Sequence, residues 1–539
     1  MDSPASLPNF LGRAADLFEM LPETRQGASA LRQIAASTNQ PFNLAVVGRM
    51  KTGKSTLINS LIGCPLAVTD VEEATATINW LCHGTGLRTF QLIVEWKTGR
   101  TECLPLERLK DWVGKTSEVI ERVGKTACLQ LFCEADRLRE MQIIDTPGTG
   151  SAVEAHETAA LAFLNPDVFA NSSSEGRKAD AILYVVSPVG RESDVENLQL
   201  FHGDRLSNSD PYNSVCVLHK WDALEAIDPA AEAAVKAGRL RDQFSDVVAD
   251  VIPVSGPIAL AAKCASDDAF GRLLEFTALH GTPDLEKMLK NPDRWDRDEK
   301  GGSIRKLFSL PWASFTLVVR RMREVPRGDI PMARQRCLNY SRIADLENFI
   351  EDRFFSQRSI IKRRQALEKA RQIYAPCIRG IAAEGERLEN DAAQGKRAAM
   401  ALLASEKETA EWLEAKSDDW KNRSDILCAA ALNLDQEWQQ HEAELEGLQM
   451  DLRISEIMHR QPDLIPLEDR ARIRALCDYL ATPGLRSQLG GQTIISLSEL
   501  QRLIDSYRAK ANRASRKIQG LFEHIVRRLE DAFRLIEAT

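Results

Sequence analysis

Apolar residues follow two rhythms along this chain. In the first half they come as short runs: NLAVVG (43–48), QLIVEW (91–96), QIID (142–145), AILYVVS (181–187), SVCVLH (214–219) and DVIPVS (250–255). Runs this short, nearly unbroken by polar residues, predict strands buried on both faces. Helical stretches lie between some of them. Strands alternating with helices predict an α/β domain with a mostly parallel sheet and helices on both faces.

After about residue 256 the strand signal fades and helical spacing takes over. Residues 356–539 contain four prolines, none between Cys377 and Gln461, and that stretch is rich in Ala, Glu, Leu, Lys and Arg. These are good helix formers, so an all-α bundle or stalk is predicted. Near the C-terminus Ile518, Phe522, Ile525, Leu529, Phe533 and Ile536 form one apolar stripe. Breaks fall at QPDLIP (461–466) and ATPGLRSQLGGQ (481–492), which predicts long antiparallel helices joined there. Residues 8–37 also read as helix, from Leu11, Ala14, Ala15, Leu17, Phe18 and Leu21 on to Leu31, Ile34 and Ala35, with Pro41 ending the pattern.

Composition narrows the class. With 539 residues there is room for roughly two to four domains. Apolar residues are 44% and charged residues 27%, the balance of a globular chain. Net charge is −8 and the pI about 5.7, which argues against a life on nucleic acid. The 11 cysteines show no regular spacing and no CxxC pair, so neither a disulfide scaffold nor a zinc site is expected. MDSPASLPNFLGRAADLFEM has no basic region followed by an apolar run, so no signal peptide is expected. No window reaches the length of a membrane-spanning helix, so membrane contact would be peripheral.

Three short motifs carry chemistry. Gly48–Ser55 reads GRMKTGKS, between a predicted strand and a predicted helix, and matches G-x-x-x-x-G-K-[ST]. Glycines let such a loop curl its amides around phosphates at a helix N-terminus. Gly48, Arg49, Met50, Lys51, Thr52, Gly53, Lys54, Ser55 and Thr56 are the candidate phosphate contacts, with Lys54 reaching the β- and γ-phosphates and Ser55 holding Mg²⁺. IIDTPGTG (143–150) ends a predicted strand on Asp145, a candidate for Mg²⁺ through water, and Gly148 offers an amide to the γ-phosphate. HKWD (219–222) ends another. There the Asp222 carboxylate can accept from guanine N1–H and the N2 amino group, a donor pair adenine lacks. Lys220 would lie over the base, while His219 departs from the usual [NT]KxD.

The ordered set GRMKTGKS, DTPG and HKWD resembles Ras-like GTPases and, more closely, the dynamin superfamily and its bacterial dynamin-like members. A helix before the first strand, STLINSLIG after the loop, VEEATATINWL (71–81) and SRIADLENFIEDRFFSQRSIIKRRQAL (341–367) add to the likeness. The resemblance implies a GTPase using GTP/GDP and Mg²⁺, with nucleotide-dependent self-association moving a helical stalk. It implies residues 1–39 packing with the stalk, a GTPase domain over 40–355 and a stalk over 356–539. Thr75 becomes the switch I threonine on Mg²⁺, with Thr77 the alternative, and Ser255 in PVSG (253–256) a base contact. Animal dynamins keep a Gln-Ser pair and a monovalent cation in the phosphate loop. Here Met50 and Lys51 stand in those places, and Lys51 would supply the charge itself, join a dimer contact, or be a plain rim lysine.

The resemblance further implies a cytoplasmic protein, peripheral at the inner face of the cell membrane, with anionic lipid and a second dynamin-like chain as partners and no nucleic acid. The loop 481–495, carrying Leu485, Leu489, Ile494 and Ile495, is a candidate lipid tip or a plain connection. RSIIKRRQALEKAR (358–371), with six basic residues, is a candidate lipid contact or a solvated helix face. A GTPase-gated scaffold without membrane remodelling, and an Era/TrmE-like GTPase on RNA or ribosomes, remain as alternatives.

Overall fold

The structure is a computed structural model, and it describes residues 6–49, 51–67, 77–114, 116–146, 179–188, 213–244, 248–460, 462–481, 496–514 and 516–537. The chain forms two compact units, Pro41–Arg358 and Met1–Gln40 with Ser359–Thr539.

The first unit is built on a nine-stranded sheet ordered β4-β3-β5-β2-β6-β1-β7-β8-β9. Its strands are β1 (Phe42–Gly48), β2 (Asn79–His83), β3 (Gln91–Trp96), β4 (Thr101–Pro105), β5 (Thr126–Cys133), β6 (Met141–Asp145), β7 (Ala181–Val186), β8 (Ser214–His219) and β9 (Val251–Val254). Six of them lie on the six apolar runs. β2, β4 and β5 have no such signal. β4 alternates exposed and half-buried residues at the sheet edge, and Gln130 interrupts β5. β1, β6, β7, β8 and β9 run parallel to one another, and antiparallel pairing is confined to β2–β6, β3–β4 and β3–β5. All seven residues of β1 are buried between β6 and β7, which is why its run is uninterrupted. Parallel order places the C-terminal ends of β1, β6, β8 and β9 on one edge, the edge where open α/β sheets bind ligands.

Helix α3 (Lys54–Ile62) leaves β1 directly, α4 (Gly256–Cys264) follows β9, and α5 (Trp312–Met322) and α6 (Ile343–Phe349) come later. The apolar faces of α4 and α5 join one core with the sheet, including Val47, Ile144, Leu218, Trp221, Ile258 and Phe315. A π-turn, Ile350–Phe355, follows α6.

In the second unit residues 8–37 form two helices rather than one continuous run, α1 (Leu7–Phe18) and α2 (Arg25–Ser37). Pro22 starts a 3₁₀ turn between them, because proline has no N–H for a helix interior. α7 (Arg358–Leu402) and α8 (Lys407–Arg460) are long. Phe10 lies 5.7 Å from Tyr374 and 5.9 Å from Trp438 between ring centroids, so α1 packs on both. Gly385 faces Cys428 and Gly395 faces Ser417 so closely that a methyl on either glycine would collide. Those pairs make α7 and α8 antiparallel arms joined at 403–406. No proline or glycine marks that turn, and the sequence reading missed it. Packing makes it, since one unbroken helix would leave both apolar stripes without a partner.

α9 (Leu467–Ala481), α10 (Leu497–Arg513) and α11 (Arg516–Glu537) close a further core with α8, in which Phe522, Ile525 and Leu529 of the C-terminal stripe are buried. Most of the candidate tip loop, 482–495, lies outside the described residues. Among those described, no helix is long and apolar enough to cross a membrane.

Candidate nucleotide-binding site

The phosphate loop joins the end of β1 to the start of α3. Gly53 takes φ +93°, and a methyl there would come within 2.5 Å of the His219 ring and 2.8 Å of Lys220 Cε. Only glycine satisfies both demands. The Lys54 side chain is buried, and its ammonium donates to the carbonyls of Gly48 at 3.0 Å and Arg49 at 3.1 Å. Burial pulls its pKa down to about 8, against the opposing pull of Asp145. An ammonium so placed gains from any anion brought to it. Ser55, in the first turn of α3, donates from Oγ to Asp145 Oδ2 at 3.3 Å. A hydroxyl and a carboxylate, both hard oxygen donors suited to Mg²⁺, are thereby side by side. Thr146 Oγ1 donates to Val46 O at 2.9 Å and ties the exit of β6 to β1.

HKWD brings β8 onto the same loop. His219 is fully buried. Its Nδ1 lies 2.9 Å from Thr52 O, and Gly256 N–H donates to Nε2 at 3.2 Å. One nitrogen must donate and the other accept, so the ring is neutral with its proton on Nδ1. Burial holds its pKa down to about 4, and the Thr52 carbonyl opposes that shift. His219 therefore bridges the phosphate loop and the N-terminus of α4. Lys220, at φ +61°, donates from Nζ to Lys51 O at 2.9 Å. Asp222 is buried and receives a hydrogen bond from Ser314 Oγ on α5, while its Oδ1 has no hydrogen-bond partner among the described residues.

The structure thus brings together Gly48, Arg49, Thr52, Gly53, Lys54, Ser55, Asp145, His219, Lys220 and Asp222. Thr56 is half-buried in α3, and the Lys51 side chain is exposed. Ser255 is buried, and its Oγ accepts from Ile258 N–H as the cap of α4. Thr77 is buried and donates to Asn79 Oδ1 at 2.8 Å. Met50, Thr75 and Gly148 lie outside the described residues. Ser314 was missed by sequence reasoning. It stands 92 residues from Asp222, and its one signal is a small polar residue inside the apolar run of WASFTLVV.

Strand, loop, helix and three strand-end motifs on one sheet edge define a P-loop nucleotide-binding domain. Residues 44–221 match the model of the dynamin family. The chain is 28% identical to isoniazid-induced protein IniC of Mycobacterium tuberculosis over 274 residues, 50% of this chain and 52% of that protein. It is 26% identical to dynamin-like protein 2 of Campylobacter jejuni over 294 residues, 52% of this chain and 43% of that protein. The matched part spans about half the length of these curated relatives. A solved structure of an oligomerised bacterial dynamin pair, described as a mechanism for long-range sensing and tethering of membranes, aligns over 100% of this chain and 86% of its own, at 14% identity and a TM-score of 0.33. Residues 44–221 are thus a dynamin-family GTPase domain, and over about half its length the chain is similar to bacterial dynamin-like proteins.

Proposed function

We propose that this protein binds GTP at the end of β1 and hydrolyses it to GDP and phosphate. The observation that carries the reading is the buried Lys54 ammonium, hydrogen-bonded among the described residues to the carbonyls of Gly48 and Arg49 at the N-terminus of α3, beside the Ser55–Asp145 pair. Phosphoryl transfer needs positioning and charge neutralisation more than covalent chemistry. Lys54 and the loop amides would hold the β- and γ-phosphates. Ser55 and Asp145 would hold Mg²⁺, with Thr75 a further ligand, and the bound ion would neutralise charge developing on the phosphate oxygens. Asp222 reads the base. Its buried, unpartnered Oδ1 suits a guanine donor, and Ser314 keeps the carboxylate in place.

Nucleotide-dependent self-association, movement of the helical unit, and peripheral action at a membrane belong to the same proposal and rest on the likeness to the dynamin family. Phosphate release from GTP and from ATP tests the first part, and equal turnover of the two would sink the guanine assignment. Sedimentation with anionic vesicles in GTP, in GDP and without nucleotide tests the second. Binding in no state would leave a GTPase that gates contacts between proteins.

A further inference from the structure

The nucleotide edge of the sheet has a counterpart at its opposite edge. α3 begins with Lys54 and Ser55 and runs back along the sheet, so its last turn lies far from the phosphates. There Lys263, from α4, donates to Ser60 O of α3 at 2.6 Å and to Glu347 Oε1 of α6 at 2.7 Å. Arg137 reaches the same Glu347 oxygen at 3.5 Å. Arg137 sits in the 3₁₀ turn Asp136–Arg139 that feeds β6, the strand ending in Asp145. Phe42, the first residue of β1, stacks on the π-turn, with ring centroids 6.5 Å from Phe354 and 5.7 Å from Phe355. Among the described elements that present a phosphate or metal contact, α3, β1 and β6 are therefore each tied at the other end, directly or through Lys263, to α6 or the turn after it.

We infer that Glu347 is a coupling residue, through which the nucleotide state of the site reaches the Ile350–Phe355 turn and the helix that leaves the GTPase unit. The inference rests on the GTP reading of the site and adds its output. A nine-residue helix moves as a rigid rod, so a displacement at Ser55 on binding phosphate and Mg²⁺ arrives at Ser60. One ammonium is shared between the Ser60 carbonyl and Glu347, and a shift of α3 must alter that sharing. Glu347 and Lys263 are only 19% and 22% exposed in their side chains, so the pair is less screened than a surface pair. The receiving element suits the task. A π-turn inside helical chain is a register defect that can resolve into α-helix, which makes it a two-state element.

Hydrogen exchange read by mass spectrometry on the full chain, with GDP, with a non-hydrolysable GTP analogue and without nucleotide, tests the inference. In the native protein the analogue should slow exchange in 48–55 and change it in 343–355. In Glu347→Gln, which keeps the shape and removes the charge, protection of 48–55 should persist while the response of 343–355 falls at least about fivefold, the lower end of ordinary coupling. Lys263→Met should do the same, while Lys263→Arg, which can still donate to both the Ser60 carbonyl and Glu347, should keep the response. An undiminished response of 343–355 in Glu347→Gln and Lys263→Met, a response lost equally in Lys263→Arg, or none in the native chain, overturns the inference. A native chain whose 48–55 segment is not protected at all refutes the GTP reading instead.

Discussion

Two groups of buried charge, one in each unit, are handled in opposite ways. In the second unit Asp451 of α8 is fully buried and receives Arg528 of α11 in a two-pronged pair at 2.8 and 2.6 Å. Cys477 of α9 adds a thiol at 3.5 Å, and His524 Nε2 lies 3.8 Å away. Charge there is answered by protein, across three helices. In the first unit Lys54 is answered by two carbonyls, and one Asp222 oxygen by nothing among the described residues. A buried charge whose needs the fold meets is structure. One whose needs are left open is a site awaiting a ligand, because the missing interaction costs free energy until something supplies it.

The contrast can be broken experimentally, beginning where the effect is largest. Arg528→Ala leaves Asp451 buried without its guanidinium partner, and should cost about 3–5 kcal/mol in denaturant unfolding of the second unit while leaving GTP affinity unchanged. Lys54→Ala should do the reverse, lowering GTP turnover about 10²–10³-fold in a phosphate-release assay with little change in melting.

His219 sharpens the boundary between the two kinds. Its folded pKa, about 4, lies below the ordinary 6.5, so the unfolded chain binds more protons between those values and stability falls as pH drops through that window. The loss assigned to this residue is roughly 3 kcal/mol from pH 6.5 to 4. Asn offers a donor and an acceptor without titrating, so His219→Asn should flatten that part of the profile when unfolding is measured at pH 7, 5 and 4.

Asp222→Asn should weaken GTP binding by about 1–3 kcal/mol and raise relative affinity for xanthosine triphosphate, whose C2 carbonyl accepts where guanine donates. Fluorescent-nucleotide titration reads both. The smallest effect concerns pH. Lys54, depressed to about 8, is charged when phosphate binds, so GTP affinity should fall by up to about tenfold per pH unit above 8.

Much of the sheet was legible because β1, β6, β7, β8 and β9 are covered on both faces and read as apolar runs. β4, half-solvated at the edge, and β5, broken by Gln130, carry no comparable signal. The phosphate loop was legible because its glycines answer a local backbone demand. His219 was legible as a departure, but its bridge from Thr52 to Gly256 depends on strands distant in sequence. Ser314 was invisible, since α5 meets Asp222 only after the core closes.

The sequence by itself determined the sheet's buried strands, the phosphate loop and the helical character of the second half, because each follows from periodicity or from a backbone conformation open to few residues. Only the tertiary structure decided that α7 and α8 fold back at 403–406, that Ser314 holds Asp222 and that Glu347 meets both Lys263, which also holds the end of α3, and Arg137 before β6. Those are contacts between residues distant along the chain, and no local pattern encodes which surfaces will meet.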